Sequence, residues 1–155
     1  MIPRIVVDTN VLVSSFLDPH GSPGAVIDLW KTGNMSLCVS EEILEEYTEV
    51  LARLGLDGRP ELKELLELFK RRENLVFVRP DRHYQLVEKD PEDDKFIDCG
   101  MSCPADTIVS GDAHLLKLKR FENVEIVSPK RFLEQRQGKA SRPAQDAAQP
   151  RRPEI

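Results

Sequence analysis

Short apolar runs alternate along the chain with segments in which apolar residues recur every three or four positions. The runs are rich in β-branched residues, as buried strands are, and the recurring spacing is typical of helices that bury one face. Strands that alternate with helices predict an α/β fold, in which helices cover both faces of a parallel sheet. The predicted strands are residues 5–7, 35–39, 75–78, 107–109 and 124–127, and the helices after the first one cover about 25–33, 41–54, 60–72, 92–102 and 129–135.

Length and composition favour a single soluble domain. With 155 residues, of which 40% are hydrophobic and 32% charged, the chain is long enough for one core and too short for two. No apolar run approaches the length of a transmembrane helix, and the N-terminus lacks a basic-then-apolar signal pattern. We therefore predict a cytoplasmic protein that does not enter a membrane.

The C-terminal residues differ in composition from the rest. Residues 136–155 are mainly Gly, Ala, Ser, Pro, Gln and Arg, which cannot bury enough apolar surface to become ordered. They hold five of the 22 basic residues and two of the 27 acidic residues, so the tail is basic and the body is acidic. We predict a folded domain over 1–135 and a disordered basic tail over 136–155. An acidic domain argues against purely electrostatic binding of nucleic acid.

The chain has three cysteines. Cys99 and Cys103 have CxxxC rather than CxxC spacing, and no histidine lies at ligand spacing nearby, which argues against a zinc site. We predict that these two residues and Cys38 are free thiols in the core.

Asp8 follows the apolar run 5–7 and precedes the first predicted helix, which Thr9 and Asn10 can cap. In an open α/β sheet, ligands bind at the carboxyl ends of the strands, so a carboxylate at this point is placed for chemistry. A turn acid that does no more than cap the helix explains this stretch equally well.

Glu46 is the acid of helix 41–54 that lies nearest its apolar face. Each helical residue turns by about 100°, and the apolar face is centred between Tyr47 and Leu51. Glu46 falls at the edge of that face and could lean over the sheet. From this geometry alone, a solvated side chain flanking the core is the simpler interpretation.

Asp93 lies on the inward stripe of helix 92–102, in its first turn, whereas Asp94 is predicted to point outward. An acid on an inward stripe is costly to bury unless it is paired, hydrogen-bonded or bound to a cation. We therefore favour a site role for Asp93 over a capping role at the helix N-terminus.

Asp112 repeats the arrangement of Asp8, because it follows the strand 107–109 through Ser110 and Gly111. Four acids thus converge on one edge of the predicted sheet, two from strands and two from helices. Carboxylates this close repel one another unless a cation such as Mg²⁺ or Mn²⁺ neutralises them. His114 could add a ligand, although a lone loop histidine is more often solvated.

Three stretches of the chain together resemble a known family. VVDTNVLVSSFL, SEEILEEYTEVL and DPEDDKFIDCGMSCPADTIVSGDAHLL follow one another in the order and spacing of PIN-domain ribonucleases. The most similar branch contains toxins of toxin–antitoxin systems related to VapC. The resemblance covers roughly residues 3–135. It implies a three-layer α/β/α PIN-like fold with a parallel sheet in the order 3-2-1-4-5, in which Asp8 and Asp112 end neighbouring strands.

The resemblance also assigns the family's acids to positions of this chain. The first aspartate falls on Asp8, the helix glutamate on Glu46, the third acid on Asp93 in a DPxD pattern, and the fourth on Asp112. It implies that these aspartates are the main ligands of Mg²⁺ or Mn²⁺, and that Glu46 binds metal or orients the attacking water. Residues that could support the carboxylates or touch phosphate are Thr9, Asn10 and Ser110.

The activity that the resemblance implies is metal-dependent hydrolysis of phosphodiester bonds in single-stranded RNA. A metal lowers the pKa of its bound water and stabilises charge on the phosphate. The implied partners are RNA, a cognate antitoxin protein and a second copy of the chain. His114 departs from the family pattern, because relatives often carry another acid there. Basic residues that could attract RNA, or could equally be solvated, are Lys95, Lys117, Lys119 and Arg120.

Three other functions would use similar acids. A haloacid-dehalogenase-like, Mg²⁺-dependent phosphatase needs a second aspartate two residues after the first, where this chain has Asn10. A receiver module that binds Mg²⁺ without turnover needs a pair of acids at the first strand, and the single Asp8 argues against it. A PIN scaffold that binds RNA or a partner protein without cutting stays open as an alternative.

Overall fold

The computed structural model of the protein describes residues 2–56, 58–84 and 93–140. In these ranges six strands form one sheet in the order β3-β2-β1-β4-β6-β5. Neighbouring strands pair in parallel, except that β5 pairs with β6 in antiparallel fashion. The strands are β1 Arg4–Val7, β2 Ser36–Val39, β3 Leu75–Phe77, β4 Thr107–Val109, β5 Arg120–Phe121 and β6 Val124–Val127.

Helices cover both faces of the sheet. Ile5, Val6 and Val7 are consecutive in β1 and are all 0% exposed, and consecutive strand residues point to opposite faces. Both faces of the central strand are therefore buried, as in other parallel sheets. The helices are α1 Thr9–Leu17, α2 Ser22–Lys31, α3 Glu41–Arg53, α4 Pro60–Arg71, α5 Asp94–Ser102, α6 Ala113–Leu118 and α7 Pro129–Ala140.

The predicted architecture is confirmed, with one correction at the edge of the sheet and one at the predicted tail: α7 continues through Ala140, and residues 141–155 lie outside the described ranges. All five predicted strands are present, and their parallel order is the expected one. The structure adds the two-residue strand Arg120–Phe121, which pairs antiparallel to β6 and makes the sheet mixed. Two residues without an apolar run give no strand signal, so this hairpin could not be predicted from the pattern.

The helix that carries Glu46 begins with clear local signals. The Ser40 hydroxyl accepts a hydrogen bond from the Ile43 backbone N–H at 3.3 Å, and Glu41 and Glu42 occupy the first turn. A capping serine and acids near the positive end of the helix dipole both favour this start. Ile43, Tyr47 and Leu51 form the buried face, as the helical spacing predicts.

The prediction of three free thiols is wrong. Cys38 of β2 and Cys103, directly after α5, form a disulfide across 65 residues of sequence, while Cys99 is a buried free thiol. Burial raises the pKa of Cys99 to about 12. The spacing of the cysteines along the chain says nothing about which strand lies beside α5, so the pair became visible only in the fold.

The segment that follows β3 is held against α5. The carboxylate of Asp98, a buried residue of α5, accepts a hydrogen bond from the Tyr84 backbone N–H at 2.8 Å and lies 3.1 Å from Nδ1 of His83. The Tyr84 ring packs edge to face on Phe121 of β5, with 5.2 Å between ring centroids.

No helix in the described ranges combines the length and the apolar character needed to cross a lipid bilayer.

Candidate active site

Asp8 lies at the carboxyl end of the central strand β1 and caps the N-terminus of α1. It is 3% exposed. The Ser110 hydroxyl donates to Oδ2 of Asp8 at 2.6 Å, and the Asn10 backbone N–H donates to Oδ1 at 3.3 Å. Both carboxylate oxygens therefore have fixed partners, and the side chain is oriented toward the end of the sheet.

Asp112 reaches the same edge from the neighbouring strand. Ser110, which is fully buried, follows β4 and also accepts a hydrogen bond from the Asp112 backbone N–H at 2.9 Å. One serine thus connects the two acid-bearing loops. The Asp112 carboxylate itself caps α6 by accepting from the backbone N–H groups of His114 at 2.8 Å and Leu115 at 3.2 Å.

Glu46 leans from α3 toward the acids of the sheet. The Thr9 hydroxyl donates to Oε2 of Glu46, and the Lys95 ammonium donates to Oε1 at 2.6 Å. The side chain is 22% exposed. The helical direction assigned to Glu46 from the sequence is therefore correct, and its carboxylate has two side-chain partners in addition to its contact with solvent.

Tyr47 attaches α3 to the strand that carries Asp8. Its hydroxyl donates to the Val7 backbone carbonyl, and the side chain is 2% exposed. Burial raises the pKa of Tyr47 well above its usual value, with further contributions from Cys99, Asp8 and Glu46. The sequence identified this residue only as part of an apolar face. A buried tyrosine requires a partner for its hydroxyl, and that requirement was the signal available.

Asp93 immediately precedes α5 and is 9% exposed. Lys95 of the same turn pairs with Glu46, so the start of α5 lies against α3, on the side of the site acids. The prediction that Asp94 points outward is wrong, because Asp94 is 8% exposed. The prediction assumed a single inward stripe, but Phe96, Ile97, Asp98 and Cys99 are consecutive and all buried, so α5 is covered on every side. Residues 90–92 of the DPxD pattern lie outside the described residues.

The carboxylates of the site influence one another electrostatically. The pKa of Asp8 is raised above its ordinary value of 3.8, first by burial and then by the negative charges of Asp112 and Glu46; the Ser110 and Asn10 hydrogen bonds act in the opposite direction. Three acids from β1, α3 and the loop after β4 therefore share one electrostatic environment. Such a cluster disfavours its own charge and attracts a cation.

Comparison with known proteins identifies the family. The family model described as the PIN domain matches residues 4–114. The chain belongs to the PIN domain family. An uncharacterized protein of Methanocaldococcus jannaschii is 27% identical over 146 residues, which cover 85% of this chain and 90% of that protein. The PIN domain of RRP44 from T. brucei has a similar fold, with a TM-score of 0.51 and 13% identity over 90% of this chain and 83% of that one.

PIN domains are typically metal-dependent nucleases, and the donors of this site fit a hard divalent cation. Aspartate and glutamate oxygens are the ligands that Mg²⁺ and Mn²⁺ prefer. Burial and the neighbouring acids raise the pKa of Asp8, so a bound cation would stabilise its ionised form. Within residues 2–56, 58–84 and 93–140, no group of three or more His, Cys, Asp or Glu side chains is arranged so that it could hold a metal ion. The ligand set of this PIN domain therefore stays a prediction.

The basic residues singled out in the sequence divide into two groups. Lys95 lies inside the site, in contact with Glu46. Lys117 and Lys119 are exposed, and Arg120 is exposed with its guanidinium 3.9 Å from Glu125. His114 is exposed, with Nδ1 3.9 Å from Asp112. No sequence pattern indicates that Lys95 pairs with a site acid, because its partner lies 49 residues away on another helix.

Proposed function

We propose that this PIN domain is a metal-dependent endoribonuclease that hydrolyses phosphodiester bonds in single-stranded RNA. The supporting observation is the shared environment of Asp8, Glu46 and Asp112, in which neighbouring negative charges add to burial in raising the pKa of Asp8. Carboxylates at the carboxyl edge of a parallel sheet are typical of sites that bind phosphate esters through cations.

In this proposal Asp8, Asp93 and Asp112 hold Mg²⁺ or Mn²⁺, and Glu46 binds metal or orients the attacking water. When bound, the ion supplies an activated water and neutralises charge on the phosphate. Ser110 keeps the Asp8 carboxylate in one orientation through its 2.6 Å hydrogen bond. Thr9 does the same for Glu46. Asn10 stays a candidate for phosphate contact at the start of α1.

The decisive experiment measures cleavage of fluorescently labelled single-stranded RNA with Mn²⁺ or Mg²⁺ by the wild type and by Asp8→Asn. We expect Asp8→Asn to lower the cleavage rate by at least about 100-fold, because changes around a metal ligand already cost 10–100-fold, and circular dichroism should show an unchanged fold. Asp28→Asn removes an exposed carboxylate of α2 and should cut at the wild-type rate.

Cleavage by Asp8→Asn at the wild-type rate would overturn this assignment of the site. RNA binding by the wild type without any cleavage would instead favour the non-cutting scaffold. Hydrolysis of a phosphate monoester such as p-nitrophenyl phosphate, with RNA left intact, would favour the phosphatase alternative.

The toxin role is supported by the resemblance of the site motifs to VapC-related toxins. In that role the protein acts in the cytoplasm, forms a homodimer and is neutralised by a small antitoxin. Expression of the wild type should arrest growth, and expression of Asp8→Asn should not. A short reading frame beside the gene whose product restores growth would identify the antitoxin, and light scattering would give the oligomeric state.

A further inference from the structure

Glu46 is the acid of the site whose two oxygens are both engaged by side chains of the protein itself. The Thr9 hydroxyl donates to Oε2, and the Lys95 ammonium lies 2.6 Å from Oε1. Thr9 follows the central acid Asp8 in the chain, so this arrangement places a positive charge at the border of the carboxylate cluster.

The Lys95 ammonium stands in acidic surroundings. It shares a groove with Glu42, Glu45, Glu46 and Glu49, the acids along this side of α3. Its side chain is 13% exposed, which is low for a lysine. The chain thus already supplies one cation at the border of the cluster, in contact with Glu46.

An ammonium and a divalent cation are alternative partners for the same carboxylate. Both are attracted by its negative charge. Two cations bound to one carboxylate would lie only a few ångströms apart, where they repel each other. The hydrogen bond from Thr9 to the other oxygen does not depend on Lys95, so it can hold Glu46 in place while the ammonium moves away.

We propose that Lys95 competes with the metal for Glu46. The Lys95 ammonium occupies the Glu46 carboxylate until a divalent cation displaces it, and this competition lowers the metal affinity of the site. This inference rests on the proposed metal site and deepens it, but it does not depend on which substrate is cut.

The test is isothermal titration calorimetry with Mn²⁺ alone, without RNA, on the full chain. Lys95→Met removes the ammonium and keeps most of the side-chain bulk, and we expect it to bind Mn²⁺ about tenfold more tightly than the wild type. Lys95→Arg keeps the positive charge and should bind within about twofold of the wild type.

Lys31→Met is the matched control. Lys31 also pairs with a glutamate, Glu64, at 2.7 Å, so this variant removes the same charge and the same kind of ion pair on α2. Its Mn²⁺ affinity should equal that of the wild type. A gain as large as that of Lys95→Met would assign the effect to net charge and overturn the proposal.

Mn²⁺ affinity of Lys95→Met that is equal to or weaker than that of the wild type would also overturn the proposal, as would the absence of Mn²⁺ binding in both proteins. If Lys95→Met does not fold, Lys95→Gln provides the same comparison. A wild type that binds Mn²⁺ as expected but leaves RNA intact would contradict the proposed ribonuclease activity and leave the role of Lys95 standing.

Discussion

At the scale of single residues, the site lowers the stability of the folded protein. Asp8 is buried as a charge whose pKa is raised by desolvation and by two neighbouring acids. Natural proteins keep such residues where function requires them, at the expense of stability. We therefore expect different effects from substituting Asp8 and Ser110, because Asp8 carries the charge and Ser110 only orients it.

Asp8→Asn should be more stable than the wild type at pH 7 in EDTA. A carboxyl group whose pKa is raised by folding binds its proton more tightly in the folded state, so its ionised form destabilises the fold above that pKa. The cost disappears as the pH falls through the raised pKa toward the ordinary value of 3.8.

Urea unfolding between pH 4 and pH 8 measures this difference. The gap between Asp8→Asn and the wild type should be widest at neutral pH and should narrow toward pH 4. A gap of the same size at every pH would show that the charge of Asp8 is not its cause.

Ser110→Ala should lower RNA cleavage by about 10–100-fold, the usual effect of removing a group that orients a metal ligand. It should also lower the free energy of unfolding by about 1–3 kcal/mol, because the Asp112 N–H and an Asp8 oxygen lose a buried partner. Ser102→Ala, at a half-exposed position of α5, should change neither quantity. Wild-type kinetics in Ser110→Ala would remove this serine from the site.

At the scale of elements, two helices place the acids that the strands do not provide. The Tyr47 hydroxyl connects α3 to the end of β1 by donating to the Val7 carbonyl. This contact fixes the position of the neighbouring Glu46 relative to the sheet. Asp98 anchors the segment before residue 85 to α5 through the Tyr84 N–H. The position of the site therefore depends on contacts that lie outside it.

Asp98→Ala should lower the free energy of unfolding by about 1–3 kcal/mol, since the Tyr84 N–H loses its acceptor and α5 loses its hold on the segment that follows β3. Thermal and urea unfolding measure this loss. Asp81→Ala, on the same segment but exposed, should stay within about 0.5 kcal/mol of the wild type. Equal effects of the two variants would show that the Asp98 contacts do not stabilise the fold.

At the scale of the whole molecule, the order of the strands decides which distant residues meet. The order β3-β2-β1-β4-β6-β5 makes β1 and β4 neighbours, so Asp8 and Asp112 end side by side although about a hundred residues separate them. The same packing brings Cys38 and Cys103 together, and Cys99 is a buried free thiol outside that disulfide.

Titration with a thiol reagent tests this pairing. Protein purified without reductant and then unfolded should expose one reactive thiol, that of Cys99, and reduction should raise the number to the three cysteines of the chain. The folded protein should react slowly at pH 8, because the Cys99 thiol is buried with a pKa of about 12 and the thiolate is the reactive form. Three thiols without reduction would contradict the disulfide.

The sequence by itself determined the local structure of this protein and the approximate direction of its acids. The five parallel strands and the inward edge position of Glu46 follow from periodicity, because each depends on residues a few positions apart. The direction of Asp94 failed because α5 is buried on all sides: Phe96, Ile97, Asp98 and Cys99 are consecutive and all buried, so the helix has no solvated side for Asp94.

Only the tertiary structure decided which partners the acids have. Ser110 and Asp8 are 102 residues apart, Lys95 and Glu46 are 49 apart, and the cysteines of the disulfide are 65 apart. No periodic pattern reports contacts over such distances, because they depend on strand order and helix packing. The sequence thus supplied the carboxylates of this PIN domain, and the fold determined that one of them is already occupied by a lysine.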